Sequence, residues 1–341
     1  LKRKRTCSRK SVFVVLLVLT VPTLLAGVAI GPVHIPILDT LSYLVGRGVS
    51  IDGSPSVSYL IISQIRLPRV LLGLLVGCAL AISGGTMQGL FRNPLASPYV
   101  LGIASGASTG ASLVILFNLR GALFLPLGAF IGGLMATGIV YRLAQERSKK
   151  TSVYTLILAG VAVGALFSAV TSFTIFLCSG SEKITDVIFW TMGGLGRANW
   201  AYLHVLTPVV ALGSIVLIAF SRDLNALSMG EEGAFHLGIK PETSKRIMLG
   251  VAALLTSSAV AFAGTIGFVG LIIPHIMRLI IGPDHRFLLP TTAIAGAIFL
   301  IWADLLARTV ASPAEIPVGI ITAFLGAPFF LYLLKMKGAR M

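Results

Sequence analysis

Nine long runs without a single Asp, Glu, Lys or Arg decide what this chain can fold into. They lie at 11–33, 70–91, 99–119, 121–141, 153–181, 198–221, 247–277, 287–303 and 316–334. A helix needs about 20 apolar residues to cross the hydrocarbon core of a bilayer. The run at 247–277 is too long for one pass and holds a glycine break, GTIGFVG at 264–270, so it supplies two helices. The count is then ten crossings.

Composition excludes a water-soluble fold, because 56% of the residues are hydrophobic and only 11% are charged. The net charge of +15 sits between the apolar runs, with no basic stripe on a soluble face. That placement fits anionic lipid surfaces and excludes a nucleic-acid partner. With the N-terminus inside, 20 of the 27 Lys and Arg fall on inner segments and seven on outer ones. This bias predicts that both termini are cytoplasmic. Residues 1–10 form a basic inner tail. The apolar run that follows is longer than a usual signal-peptide core, which predicts a retained first helix.

The expected spans are nearly free of ionisable groups, whereas proton- or sodium-coupled carriers usually keep some at mid-membrane. The alternative of an ion-coupled secondary carrier or channel is therefore disfavoured, and energy is expected to enter from outside the membrane domain. Cys7, Cys78 and Cys178 and the five histidines are scattered without metal-ligand spacing, so no metal site is predicted. There is no G-x-S-x-G and no G-x-x-x-x-G-K-[ST] phosphate loop, so no catalytic residue and no ATP site is expected on this chain. Residues 79–94 align without gaps on 259–274, with Ala, Ala, Gly and Pro at matching positions. Five crossings separate the copies, so they would be inverted in the membrane.

Six strings occur in order: RLPR at 66–69, GGTMQGLFRNPLASPYVLGIASGA at 84–107, WTMGGLG at 190–196, GEEGAFHLG at 230–238, GFVGLIIPHIMRLIIGPDHR at 267–286 and EIPVGIITAFLGAPFF at 315–330. Together they resemble the FecCD-type permease family of ABC importers, which includes the vitamin B12, haem and ferric-siderophore permeases. The resemblance implies an all-α integral membrane protein with ten transmembrane helices, an inverted-repeat-like bundle of the type II ABC importer kind. One permease domain would span 1–341, sited in the cytoplasmic (inner) membrane of a bacterium or archaeon. It implies a second permease subunit, expected as a homodimer, two cytoplasmic ATPases that bind ATP and Mg, and an extracytoplasmic binding protein. The cargo would be a ferric siderophore, haem or cobalamin, moved by alternating access.

Arg66, Arg69 and Arg308 fall at the outer face by charge counting, either snorkelling to headgroups or presenting exposed guanidiniums to carboxylates of a docking protein. The matching family arginines receive acidic residues of the binding protein. Asp304 stands four residues before Arg308, so an i,i+4 pair is expected to orient it. The inner loop at 222–246 is either solvated or a coupling helix. Its Glu231, Glu232, Ala234 and Gly238 resemble the family's ATPase-coupling segment, with small residues allowing close approach. Ser168, Thr171 and Ser172 on the fifth helix either pack against neighbours or, by resemblance, line the pathway with the tenth helix. By resemblance the cytoplasmic gate would fall at Thr151, Ser152, Val153 and Tyr154; the small polar gate residues of some members are not matched at Val153 and Tyr154, although Thr151 and Ser152 are adjacent.

Overall fold

The computed structural model describes residues 8–33, 35–36, 40, 57–145 and 152–338. Among them the helices are, in order, α1 (Arg9–Ala29), α2 (Val57–Leu90), α3 (Ile103–Leu116), α4 (Phe124–Ala144), α5 (Val153–Leu177), α6 (Lys183–Met192) and α7 (Trp200–Ala219). They continue as α8 (Ser221–Met229), α9 (Glu231–His236), α10 (Pro241–Ala263), α11 (Val269–Ile281), α12 (His285–Thr309) and α13 (Val318–Gly338). Seven are long and apolar enough to cross a membrane: α1, α2, α4, α5, α7, α10 and α12. Three shorter apolar helices, α3, α11 and the Val318–Tyr332 part of α13, accompany them.

The glycine break behaves as its sequence predicts. α10 stops at Ala263, and Gly264 takes φ 70 with ψ −168, a conformation open essentially to glycine alone. α11 restarts at Val269, so the run yields two helices. The proposed repeat is not matched in local structure. Gly84 lies inside α2, which continues helical to Leu90, whereas its aligned partner Gly264 ends α10. The short helix α6 lies in the segment between the apolar runs at 153–181 and 198–221, where hydropathy predicts no crossing.

α2 is the central post. Its most apolar stretch is 78% buried, followed by 72% for α12 and 67% for α10, against 17% for α1 and 28% for α5. In a lipid-solvated bundle the first three therefore form the interior, while α1 and α5 face lipid or a partner. Small residues permit this closeness. Gly77 meets the backbone of Gly296 on α12, Gly84 meets Gly270 on α11, and Gly106 and Gly110 meet Gly132 and Gly128 across α3 and α4.

Candidate functional site at the two ends of the bundle

Two polar clusters occupy opposite ends. Arg69 lies on α2 beyond its first three turns, and Gly89 near its end packs against His285 and Leu224. From Arg69 to Gly89 a helix rises about 30 Å, the thickness of a hydrocarbon core. The Arg69 cluster and the α8–α9 loop therefore stand about one hydrocarbon-core thickness apart along the bundle.

At the first end, Arg69 donates Nε to Asp304 Oδ1 at 2.9 Å and Nη1 to both oxygens of Glu315 at 2.9 Å. Arg308 approaches Asp304 Oδ2 through Nε at 3.5 Å, the i,i+4 pair its spacing predicts. Arg66 donates Nη1 to the carbonyls of Val28 (3.0 Å) and Ala29 (2.6 Å) and Nη2 to that of Val33, while Arg308 reaches Gly27 O. The carbonyls of Gly27, Val28 and Ala29 belong to the last turn of α1, where no further helical N–H is available. Two arginines thus cap one helix end, a favourable place for cations.

This corrects the expectation of exposed guanidiniums. Arg66, Arg69 and Arg308 are 3%, 7% and 2% exposed, because α1 carbonyls and the carboxylates of Asp304 and Glu315 already occupy them. The picture of nearly charge-free spans also changes, since the carboxylate of Asp304, paired with Arg69, is 2% exposed near the end of α12. Among the described residues of this network, Glu315, with its side chain 44% exposed, is the one that opens to solvent. It lines a cavity of about 230 Å³ with Arg69, Trp190, Gly193, Arg197 and Gly264. The glycine motifs meet here: Gly194 N–H donates to Ala263 O at 2.8 Å, and Gly319 N–H to Gly193 O at 3.4 Å.

At the other end the 222–246 loop is not a solvated coil. It holds α8 and α9, fixed by Ser244 Oγ donating to Asp223 (2.6 Å), Asn225 Nδ2 to Asp284 (2.8 Å) and Lys245 Nζ to Glu231 (3.0 Å). Arg286 hydrogen bonds hold the Asp284 carboxyl well below the usual carboxylate range, and Arg9 also pairs with it at 3.3 Å. Arg9 is the described part of the basic tail together with Ser8 and Lys10.

Within α9, Glu232 is exposed and Glu231 is tied to Lys245. Ala234 is fully buried, so it packs α9 onto the bundle and does not present a small surface to a partner. Gly238, at φ 81, is the left-handed cap of α9: its N–H donates to Phe235 O (2.9 Å) and that of Ile239 to Ala234 O (3.1 Å). Beside Glu232 and His236 the outward face carries large apolar side chains. Met229, Phe235 and Leu237 are 83%, 66% and 69% exposed. These three were missed in the sequence, although apolar residues within a charged loop were the available signal.

A third feature runs along α5 and α13. A hollow of about 590 Å³ is lined by Thr191, Met192, Thr265, Gly319 and Phe324, and another of about 490 Å³ by Tyr99, Ser105, Gly160, Gly164, Ser168 and Thr265. Thr265, in the glycine break, borders both. Ser168 and Ser172 lie on the exposed face of α5. Thr171 does not: it is buried and bonds Thr109 Oγ1 at 2.9 Å, joining α5 to α3. Of the expected gate, Thr151 lies outside the described residues. Ser152 caps α5 by accepting from Thr155 N–H at 3.4 Å, Val153 packs against the core, and Tyr154 is exposed.

A bundle of apolar helices long enough to cross a bilayer is that of a multi-pass membrane protein. The chain belongs to the FecCD transport family, whose sequence pattern matches residues 16–336. It is 48% identical over 288 residues to the cobalamin import system permease protein BtuC of Halobacterium salinarum, covering 84% of this chain and 77% of that one. It is 45% identical over 276 residues to the hemin transport system permease protein HmuU of Yersinia pestis, covering 80% and 82%. A solved structure described, by provisional assignment, as an inward-facing metal-chelate type ABC transporter superposes with a TM-score of 0.83. Its sequence is 33% identical, and the match covers 96% of this chain and 99% of that one.

Proposed function

We propose that this chain is the membrane-spanning subunit of an ABC importer for a metal chelate such as a ferric siderophore, haem or cobalamin, working in the cytoplasmic membrane by alternating access. The observation that carries the proposal is the exposed Met229–Phe235–Leu237 face, held rigid on α8 and α9. A chain without a phosphate loop must receive its driving force through contact, and two partner ATPases that bind ATP and Mg would press there. Rigid-body movement of α8 and α9 would be passed to α10 and α12 through the Ser244–Asp223 and Asn225–Asp284 bonds. A second copy of the chain would close the hollowed flank of α5 and α13 into a pathway. Its walls are apolar with Ser168, Ser172 and Thr265, which suits release of a bulky chelate. The binding protein is assigned to the Arg69 end, where its carboxylates would have to displace Glu315 to reach Arg69.

Phe235→Glu tests the reading. A buried aromatic anchor at an interface contributes upwards of about 2 kcal/mol. The variant should bind its ATPase at least about thirtyfold more weakly and lose ATP-driven chelate uptake in proteoliposomes, while the purified bundle keeps its thermal midpoint. Undiminished ATPase binding would remove α8 and α9 from the energy path.

A further inference from the structure

We propose that the slot between α4, α5 and α10 binds an anionic phospholipid, its phosphate on Arg246 and one acyl chain between the helices. The slot has a volume of about 230 Å³ and is walled by Leu134, Gly138, Leu156, Leu249, Gly250 and Ala253. Its depth comes from two glycines: a Cβ added at Gly138 or Gly250 would meet nothing within 4 Å. Elsewhere in the bundle, facing glycines draw backbones into contact, as Gly77 and Gly296 do. Here they leave an opening. From Leu134 to Tyr141 the slot runs about 10 Å along α4, enough to lay a stretch of acyl chain beside the helix.

The mouth is polar and basic. Arg246 donates Nε to the hydroxyl of Tyr141 at 3.1 Å, which orients its guanidinium plane. Its other N–H groups are left for an acceptor, and a planar fork suits two phosphate oxygens. Arg246 is exposed, and Arg142, also exposed, follows Tyr141 on α4. Among the described residues no carboxylate lies within ion-pair distance of Arg246: Glu242, one turn earlier, pairs with Lys245 instead. Arg246 follows the first turn of α10, and Tyr141 lies in the last turn of α4, so both stand at the α8–α9 end. An apolar slot opening between membrane-length helices, crowned by a cation and a tyrosine at headgroup depth, matches a lipid in charge and in polarity.

The test is native mass spectrometry of the full chain released from nanodiscs of equal parts phosphatidylglycerol and phosphatidylcholine. The parent chain should retain phosphatidylglycerol in preference. Arg246→Ala should lower that retention about fivefold, Arg246→Lys should keep most of it, and Arg222→Ala, an exposed arginine outside the slot, should change nothing. Gly250→Leu, which fills the slot, should lose bound lipid of both kinds. Retention in Arg246→Ala or Gly250→Leu equal to that of the parent would overturn the proposal, as would equal retention of both lipids by the parent. None of these readouts depends on transport, so failure here would leave the permease reading standing.

Discussion

Asp304→Asn is expected to destabilise the bundle by about 3–5 kcal/mol, the cost of leaving a buried charge without its counter-ion. The side chain is replaced by one of nearly the same size, so packing is conserved and the loss is electrostatic. Asp304 is 2% exposed and takes Arg69 at 2.9 Å and Arg308 at 3.5 Å. Without its charge, Arg308 keeps only the carbonyl of Gly27, and Arg69 falls back on Glu315. Arg308 would then be left buried without a carboxylate partner, and Arg69 would hold a single half-exposed one. Thermal unfolding in mild detergent should show an apparent midpoint lower by on the order of 10 °C. Glu315→Gln is the matching control. Its partner is the same Arg69, but its side chain is 44% exposed, and a solvent-screened pair is worth only about 0–1 kcal/mol. Equal shifts in the two variants would mean that Asp304 is hydrated and that the interior network does not exist as described.

The contrast between Asp304 and Glu315 also shows where sequence reading stops. The spacing of Asp304 and Arg308 was legible because a helix brings i and i+4 together whatever surrounds it. The burial of Arg66, Arg69 and Arg308 was not, because it depends on where α1 ends and which of its carbonyls lack donors. That is a tertiary fact about Gly27, Val28 and Ala29. The same division holds along α5. Ser168 and Ser172, four apart, share one helical face, while Thr171 turns towards Thr109 of α3. A run rich in small and apolar residues on all sides carries no signal of which face is inward. The break at 264–270 was legible for a simpler reason: the run exceeds one crossing and its cluster of three glycines supplies a cheap place to interrupt it. In α9 the motif drew attention to Ala234 and Gly238, residues that build the helix and end it. The exposed Phe235 and Leu237 had to be seen on the folded surface.

Gly84→Ala, a change of one carbon, is expected to cost more than about 3 kcal/mol and to prevent recovery of monodisperse protein. In isolation the substitution should help, since alanine is favoured over glycine inside a helix by about 1 kcal/mol. Packing reverses the sign. A Cβ on Gly84 would overlap the carbonyl oxygen, carbonyl carbon and Cα of Gly270, all backbone atoms that no side-chain rotation can clear. α2 and α11 would have to separate, and forced overpacking costs about 1–3 kcal/mol even where side chains can yield. Separation would also reach the pathway face, because α11 begins immediately after the break that carries Thr265 and Phe268. Gly138→Ala is the internal comparison, with nothing within 4 Å of the added carbon. It should leave the thermal midpoint unchanged or raise it, on propensity alone. If Gly84→Ala matched Gly138→Ala in yield and midpoint, α2 and α11 could not lie in backbone contact. The central post would then lose the small-residue packing on which the arrangement of the interior helices rests.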